Sequence, residues 1–202
     1  MIPLTQLSTE CAPMVASSTM AAIVRVESHG RPLMMWNNTT RSMVDPYSLA
    51  QAVQYLRQAM AAGQKVDVGI AQVDTENFTS LGLTPRTAFN ICANLRAGAT
   101  ILHADWEQAR ANGYHGQQAL YHAFEAYNSG RLWGDAQYAN EILGAAGVSA
   151  PAEYGSLRYA SEVKPYAGMP GDTLTQFRWQ ATPGPARTNA PTNGAGSWPV
   201  FP

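Results

Sequence analysis

A chain of 202 residues with 46% hydrophobic and 13% charged side chains is long enough to bury one sizeable core. Its net charge of −1, with arginines scattered singly, argues against a general nucleic-acid or anionic-membrane binder, which carries a basic patch. No apolar run approaches the ~20 residues that span a bilayer, and the first ten residues lack the basic and apolar regions of a secretory leader.

The first predicted helix runs from about Ser17 to Glu27 as a capped segment. Its apolar stripe, Met20, Ile23 and Val24, is continued at the i+7 position by Glu27, so a carboxyl group faces the core side. Burial there removes hydration from the charged form, raises the pKa and leaves an acid able to donate a proton. The alternative is a frayed helix end before His29-Gly30, with Glu27 bent out to water. A loop is expected from Arg31-Pro32 to Pro46. A second helix runs from about Ser48 to Ala62, with Gly63 as its C-terminal cap.

Lys65 to Val73 holds Asp67, Gly69 and Gln72, and its partial alternation fits a short strand or an extended loop. A long helix fits Phe89 to Ala111, with Ile91, Leu95, Leu102 and Trp106 as its apolar positions. Two more run from Gln117 to about Asn128, where Leu120, Ala123, Phe124 and Tyr127 share a face, and from Asp135 to Ala146 before Gly147. The result is a mostly helical domain over residues 1–148. From 149 to 202 the composition changes: eight of the thirteen prolines fall there, with Gly-Pro and Ser/Thr/Asn clusters. That part reads as an irregular tail, whose aromatic residues suit a surface or a partner.

Other chemistry is sparse. Cys11 and Cys92 lack the close spacing of a zinc or redox motif, which leaves two buried thiols or one disulfide. The histidines, His29, His103, His115 and His122, form no HExxH or other ligand spacing, so no metal is expected. His115 and His122 read as surface or edge residues. There is no Gly-x-Ser-x-Gly elbow and no Gly-rich phosphate loop. Trp36 and Trp106 could stack on sugars or simply pack. Asp67 and Asp74 are the acids available as a second carboxylate. Tyr127 by itself reads as a core aromatic.

Four short blocks occur in order: Glu27-Ser28, Gly69-Ile70-Ala71-Gln72, Asn94-Leu95 with Gly98, and Ala126-Tyr127-Asn128-Ser129-Gly130. This series resembles the soluble lytic transglycosylase family, with its E-S pair, G-L-M-Q-like block, N-L/I-x-x-G helix start and A-Y-N-x-G. The chain is most similar to the branch associated with conjugation and type IV secretion systems. There the similarity extends to Cys11-Ala12-Pro13, Val66-Asp67-Val68-Gly69 and Cys92 to Gly98, covering roughly Leu7 to Val148. Two departures stand out: Ala71 occupies the usual Met position, and the second half of Arg31 to Trp36 lacks small residues.

The resemblance implies a mainly α, lysozyme-like fold of the goose-type/transglycosylase kind with a short extended or β segment. It implies cleavage of the β-1,4 bond between N-acetylmuramic acid and N-acetylglucosamine in peptidoglycan, with a 1,6-anhydro product and no cofactor. By position, Glu27 matches the single catalytic acid. Ser28 matches a residue that steadies it, Gln72 a cleft-lining amide, and Tyr127, followed by Asn128, the tyrosine whose hydroxyl approaches the acid. The partners implied are glycan strands of the cell wall and secretion components met through the tail, in the periplasm or cell envelope of a bacterium. Two other readings stay open: a goose-type-lysozyme-like hydrolase using Asp67 or Asp74 to activate water, and a non-catalytic wall-binding or assembly protein.

Overall fold

The computed structural model describes residues 3–148. The expected tail, 149–202, lies outside the described residues, as does the division of the chain into these two parts. Among the described residues the chain forms seven α-helices and one four-stranded antiparallel sheet. Helix α1, Leu4–Cys11, and helix α2, Ser17–Glu27, come first, followed by strands β1, Met35–Asn37, and β2, Ser42–Val44. Next are α3, Leu49–Ala61, strands β3, Val66–Val68, and β4, Val73–Asp74, and the short α4, Phe78–Leu81. Helices α5, Ile91–Ala111, α6, Gly116–Ser129, and α7, Ala136–Ala145, complete the domain.

Helix ends follow side-chain chemistry where a cap exists. Ser48 accepts a hydrogen bond from the Gln51 N–H, Asn90 from Ala93 and Asp135 from Tyr138, each satisfying an amide that the helix leaves open. Helix α2, expected to be capped, starts after Ala16 without a side-chain cap and is held by burial of Met20, Ile23 and Val24. The long helix starts at Ile91, two residues later than expected, because Asn90 caps it.

The segment expected to be a loop between Arg31 and Pro46 contains the β1–β2 hairpin. Its turn is closed by the Asn37 side-chain oxygen, which accepts from the N–H groups of Thr39 and Thr40, both at 3.0 Å. The Lys65–Val73 segment supplies two strands. The sheet order is β2-β1-β3-β4. Met35, Asn37, Val66 and Val68 are buried on one face, against the helical core. Met43, Trp36, Asp67 and Asp74 are register partners across the four strands and therefore share the other face.

The main hydrophobic core of the described residues runs from α1 and α2 through the sheet to α5, α6 and α7, and a second, smaller cluster gathers Ala109, Tyr114, Ala119, Ala126 and Leu132. Cys11 and Cys92 are joined by a disulfide, Cα atoms 4.8 Å apart, which ties the end of α1 to the first turn of α5. Helix α2 packs on α7, and Arg25 donates to the Ala145 carbonyl at the C-terminal end of that helix, where a cation suits the helix dipole.

Candidate active site

The four sequence blocks converge on one backbone turn, residues 69–72, between β3 and β4. Gly69 there has φ +83, the left-handed region open to glycine, and a Cβ would stand 2.7 Å from Asn94 Nδ2. Gln72, not a glycine, is held at φ 45. Such a conformation persists only where the surroundings enforce it.

Those surroundings are side chains from the other blocks. Ser28 Oγ donates to the Ile70 carbonyl at 2.7 Å. Asn94 Oδ1 accepts from the Ala71 N–H at 2.7 Å, while its Nδ2 donates to the carbonyls of Val68 and Ala88 at 2.8 and 2.9 Å. Tyr127 Oη donates to the Ala71 carbonyl at 2.8 Å. Gln72 Nε2 donates to the Met34 and Gly69 carbonyls at 3.1 and 2.6 Å. The turn is thus fixed to α2, α5 and α6 together. It sets the sheet against the end of α2, where Glu27 sits.

Glu27 is partly buried at the C-terminal end of α2, with its carboxyl turned inward, not frayed into water. Loss of hydration pushes its pKa from the ordinary 4.5 to about 7. Tyr138 Oη donates to Glu27 Oε1 and opposes that rise by favouring the carboxylate, while the negative charge of Glu141 adds to it. The carboxyl can therefore hold a proton near neutrality and release it to a nearby acceptor. The rings of Tyr127 and Tyr138 lie stacked, centroids 6.5 Å apart and planes 10° from parallel. Burial raises both phenols well above 10, so both remain donors.

Tyr127 Oη donates to the Ala71 carbonyl, and Tyr138, 111 residues from Glu27 in sequence, donates to Glu27 Oε1. Ser28 is fully buried and bonds the backbone turn through the Ile70 carbonyl. The Gln72 amide nitrogen is committed to backbone carbonyls, not presented to a sugar. Asn128 is exposed and donates to Asp135 Oδ2 at 2.6 Å.

That last bond belongs to a second frame. Glu125, buried, accepts from the N–H groups of Gly134 and Asp135 at 3.2 and 3.1 Å, and Asp135 caps the Tyr138 N–H. Asn128 and Glu125 thus fix the start of α7 and, with it, Tyr138. His122, expected at the surface, is buried instead, with Nδ1 2.6 Å from Glu125 and 2.7 Å from the Leu132 carbonyl. Its partner Glu125 lies one turn away on the same helix, which provides the polar contact that makes burial tolerable.

Asp67 and Asp74 face each other across β3 and β4. Burial pushes Asp67 up to about 8, and the charges of Asp74 and Glu27 add to the rise, which places Asp67 near enough to sense Glu27. Asn38 Nδ2 donates to Asp67 Oδ2 at 2.9 Å and favours its charged form. Asp74 Oδ1 accepts from the Glu76 N–H at 2.6 Å, so the proton of the pair rides on Asp67, which donates it to Asp74. Among the described residues no group of His, Cys, Asp and Glu is arranged to hold a metal ion. No helix there is long and apolar enough to cross a membrane.

The transglycosylase SLT domain profile matches residues 6–141, the span that contains all of this frame. The chain belongs to the transglycosylase SLT domain family. Its helices and small sheet accordingly form the mainly α, lysozyme-like SLT fold. Within the SLT family it is similar to Protein virB1 of Rhizobium radiobacter, 39% identical over 123 residues, 61% of this chain and 51% of that protein. It is also similar to Protein virB1 of Agrobacterium fabrum, 40% identical over 122 residues, 60% of this chain and 49% of that one. Type IV secretion system protein virB1 of Brucella abortus is 38% identical over 136 residues, 66% of this chain and 57% of its own length. This SLT chain therefore spans about half the length of the relatives it matches. No solved structure matches it.

Proposed function

We propose that this chain is a lytic transglycosylase of bacterial peptidoglycan, with Glu27 as its single acid and base. The observation that carries the reading is the Glu27 carboxyl, held protonated to about pH 7 by burial and contacted by the Tyr138 hydroxyl. Protonated Glu27 gives its proton to the oxygen linking C1 of N-acetylmuramic acid to N-acetylglucosamine. The C1–O bond then breaks with its electron pair passing to the departing sugar. The substrate's N-acetyl group supports the positive charge at C1. Glu27, now a carboxylate steadied by the Tyr138 O–H, takes the proton from the muramic C6 hydroxyl as that oxygen closes on C1. The acid is regenerated and the product carries a 1,6-anhydro ring.

Asp67 favours a second reading, hydrolysis, because it lies close enough to Glu27 to feel its charge. A water-activating base must be a carboxylate open to water; Asp67 keeps its proton to about pH 8, and Asp74 is 1% exposed and accepts from the Glu76 N–H, so the transglycosylase reading is the better supported. The names of the relatives support work at the cell envelope beside a type IV secretion machine, where local cleavage would open a gap for assembly. Digestion of purified peptidoglycan by this protein and by Glu27→Gln, with mass spectrometry of the fragments, tests it. Anhydro-muramic ends made only by the parent are expected. Reducing ends would move the assignment to hydrolysis; no Glu27-dependent product would leave a wall-binding protein.

A further inference from the structure

The sheet presents one row of side chains from edge to edge: Met43, Trp36, Asp67 and Asp74. Its inner end is acidic and its outer end apolar. Trp36 is 39% exposed and Met43 55% exposed. Trp36 belongs to neither hydrophobic cluster of the described residues, whereas Trp106, the other tryptophan singled out in the sequence, packs against both. The face behind Trp36 is dry: its neighbours Met35 and Asn37 are fully buried. An indole so placed rests on a sheet whose other face is buried and keeps more than a third of its surface open to solvent.

The platform is also held still. Arg31 pairs with Asp45 at 2.7 Å and directs its other guanidinium nitrogen at Met34 Sδ and Met43 Sδ, at 2.9 and 3.7 Å. Next to the indole, Asn38 and Asp67 form a hydrogen-bonded pair, with the amide oxygen and carboxyl as polar groups beside a flat apolar surface. Flat apolar area bordered by polar groups fits a pyranose ring, whose axial C–H face is apolar and whose rim is hydroxyl and acetamido.

We propose that Trp36, flanked by Met43, is a glycan subsite that stacks one N-acetylhexosamine ring of the strand and delivers the adjoining linkage towards Glu27. This rests on the proposed glycan cleavage and adds to it the residue that grips the strand. The backbone supplies the continuity: Met34, two residues before Trp36, accepts from the Gly69 N–H at 2.9 Å, and the same turn is bonded at the Ile70 carbonyl by Ser28, the residue after Glu27.

The test uses the full chain carrying Glu27→Gln, so that the strand is bound and not cut, titrated with soluble peptidoglycan glycan strands in a calorimeter. Adding Trp36→Ala is expected to weaken binding by about tenfold, the loss of one aromatic stacking contact, and Trp36→Tyr to recover most of it. In the parent background, Trp36→Ala is expected to raise KM with a smaller change in kcat. Unchanged affinity in Trp36→Ala, or Trp36→Tyr as weak as Trp36→Ala, would overturn the subsite, as would absence of any glycan binding. The two proposals separate cleanly. Glu27-dependent cleavage indifferent to Trp36 keeps the enzyme and removes the subsite; Trp36-dependent binding without cleavage keeps the subsite and removes the enzyme.

Discussion

Replacing Glu27 by Gln should make this protein more stable above neutral pH. Folded Glu27 keeps its proton up to about pH 7, whereas the unfolded chain releases it near 4.5. Between those values the folded state binds more protons than the unfolded one, so stability falls as pH rises, and the loss is complete above about pH 7. The interval, at about 1.4 kcal/mol per pH unit, amounts to about 3 kcal/mol. Gln does not titrate, and its amide oxygen can still accept from Tyr138. The two proteins should therefore melt alike below pH 4.5 and diverge through the window. For a chain of this size, at roughly 2–4 °C per kcal/mol, Glu27→Gln should melt about 6–12 °C higher at pH 8. Thermal melts of both proteins from pH 4 to 8.5 measure it. A gap that does not change with pH, or a variant less stable at pH 8, would refute the claim that burial of this carboxyl is what sets its proton affinity.

Other perturbations reach the same frame from different sides. Tyr138→Phe removes the bond that favours the Glu27 carboxylate, so the alkaline limb of the activity profile, set by loss of the Glu27 proton, should move upward by about one pH unit, and kcat should fall. Initial rates from pH 5 to 9 decide it. Gly98→Ala places a Cβ 2.7 Å from Tyr127 Oη and 2.8 Å from Ala71 Cβ. Overpacking should cost about 1–3 kcal/mol, offset by up to about 1 kcal/mol of helix propensity, and activity should drop with the melting temperature. Reducing the Cys11–Cys92 bond frees a loop whose ends are 81 residues apart and should cost up to about 4–5 kcal/mol, read as a lower melting temperature with reductant that Cys11→Ala/Cys92→Ala reproduces without it.

The sequence was most legible where chemistry is local. The stop of α3 before Gly63, which takes φ 71, the apolar periods of α5 and α6, and the position of Glu27 on the core side of α2 are all near-neighbour patterns. Helix α1 escaped notice because only eight residues carry its period, although Leu4, Leu7 and Cys11 are spaced for one helix face. The β1–β2 hairpin has strands of three residues, too short for alternation to stand out, and a turn closed by a side chain. Tyr138 could not be read at all: its neighbours form an ordinary amphipathic helix, and only the packing of α7 on α2 brings its hydroxyl to Glu27. Asn128 had a visible signal, following Tyr127, but its action runs through Asp135 and the start of α7.

Ser28, Asn94, Tyr127 and Gln72 all hold residues 69–72, and this shared duty shapes how the protein tolerates change. Once one tie is cut the turn relaxes, and the remaining ties then grip a backbone already displaced. Losses at these positions should be strongly sub-additive, a single epistatic unit in which the second substitution harms far less than the first. A screen scored only by activity would count all four among the chemical groups of the site. The shape of the pH profile would tell them apart from Glu27 and Tyr138, since a loosened turn lowers the rate at every pH while a changed acid moves the limb.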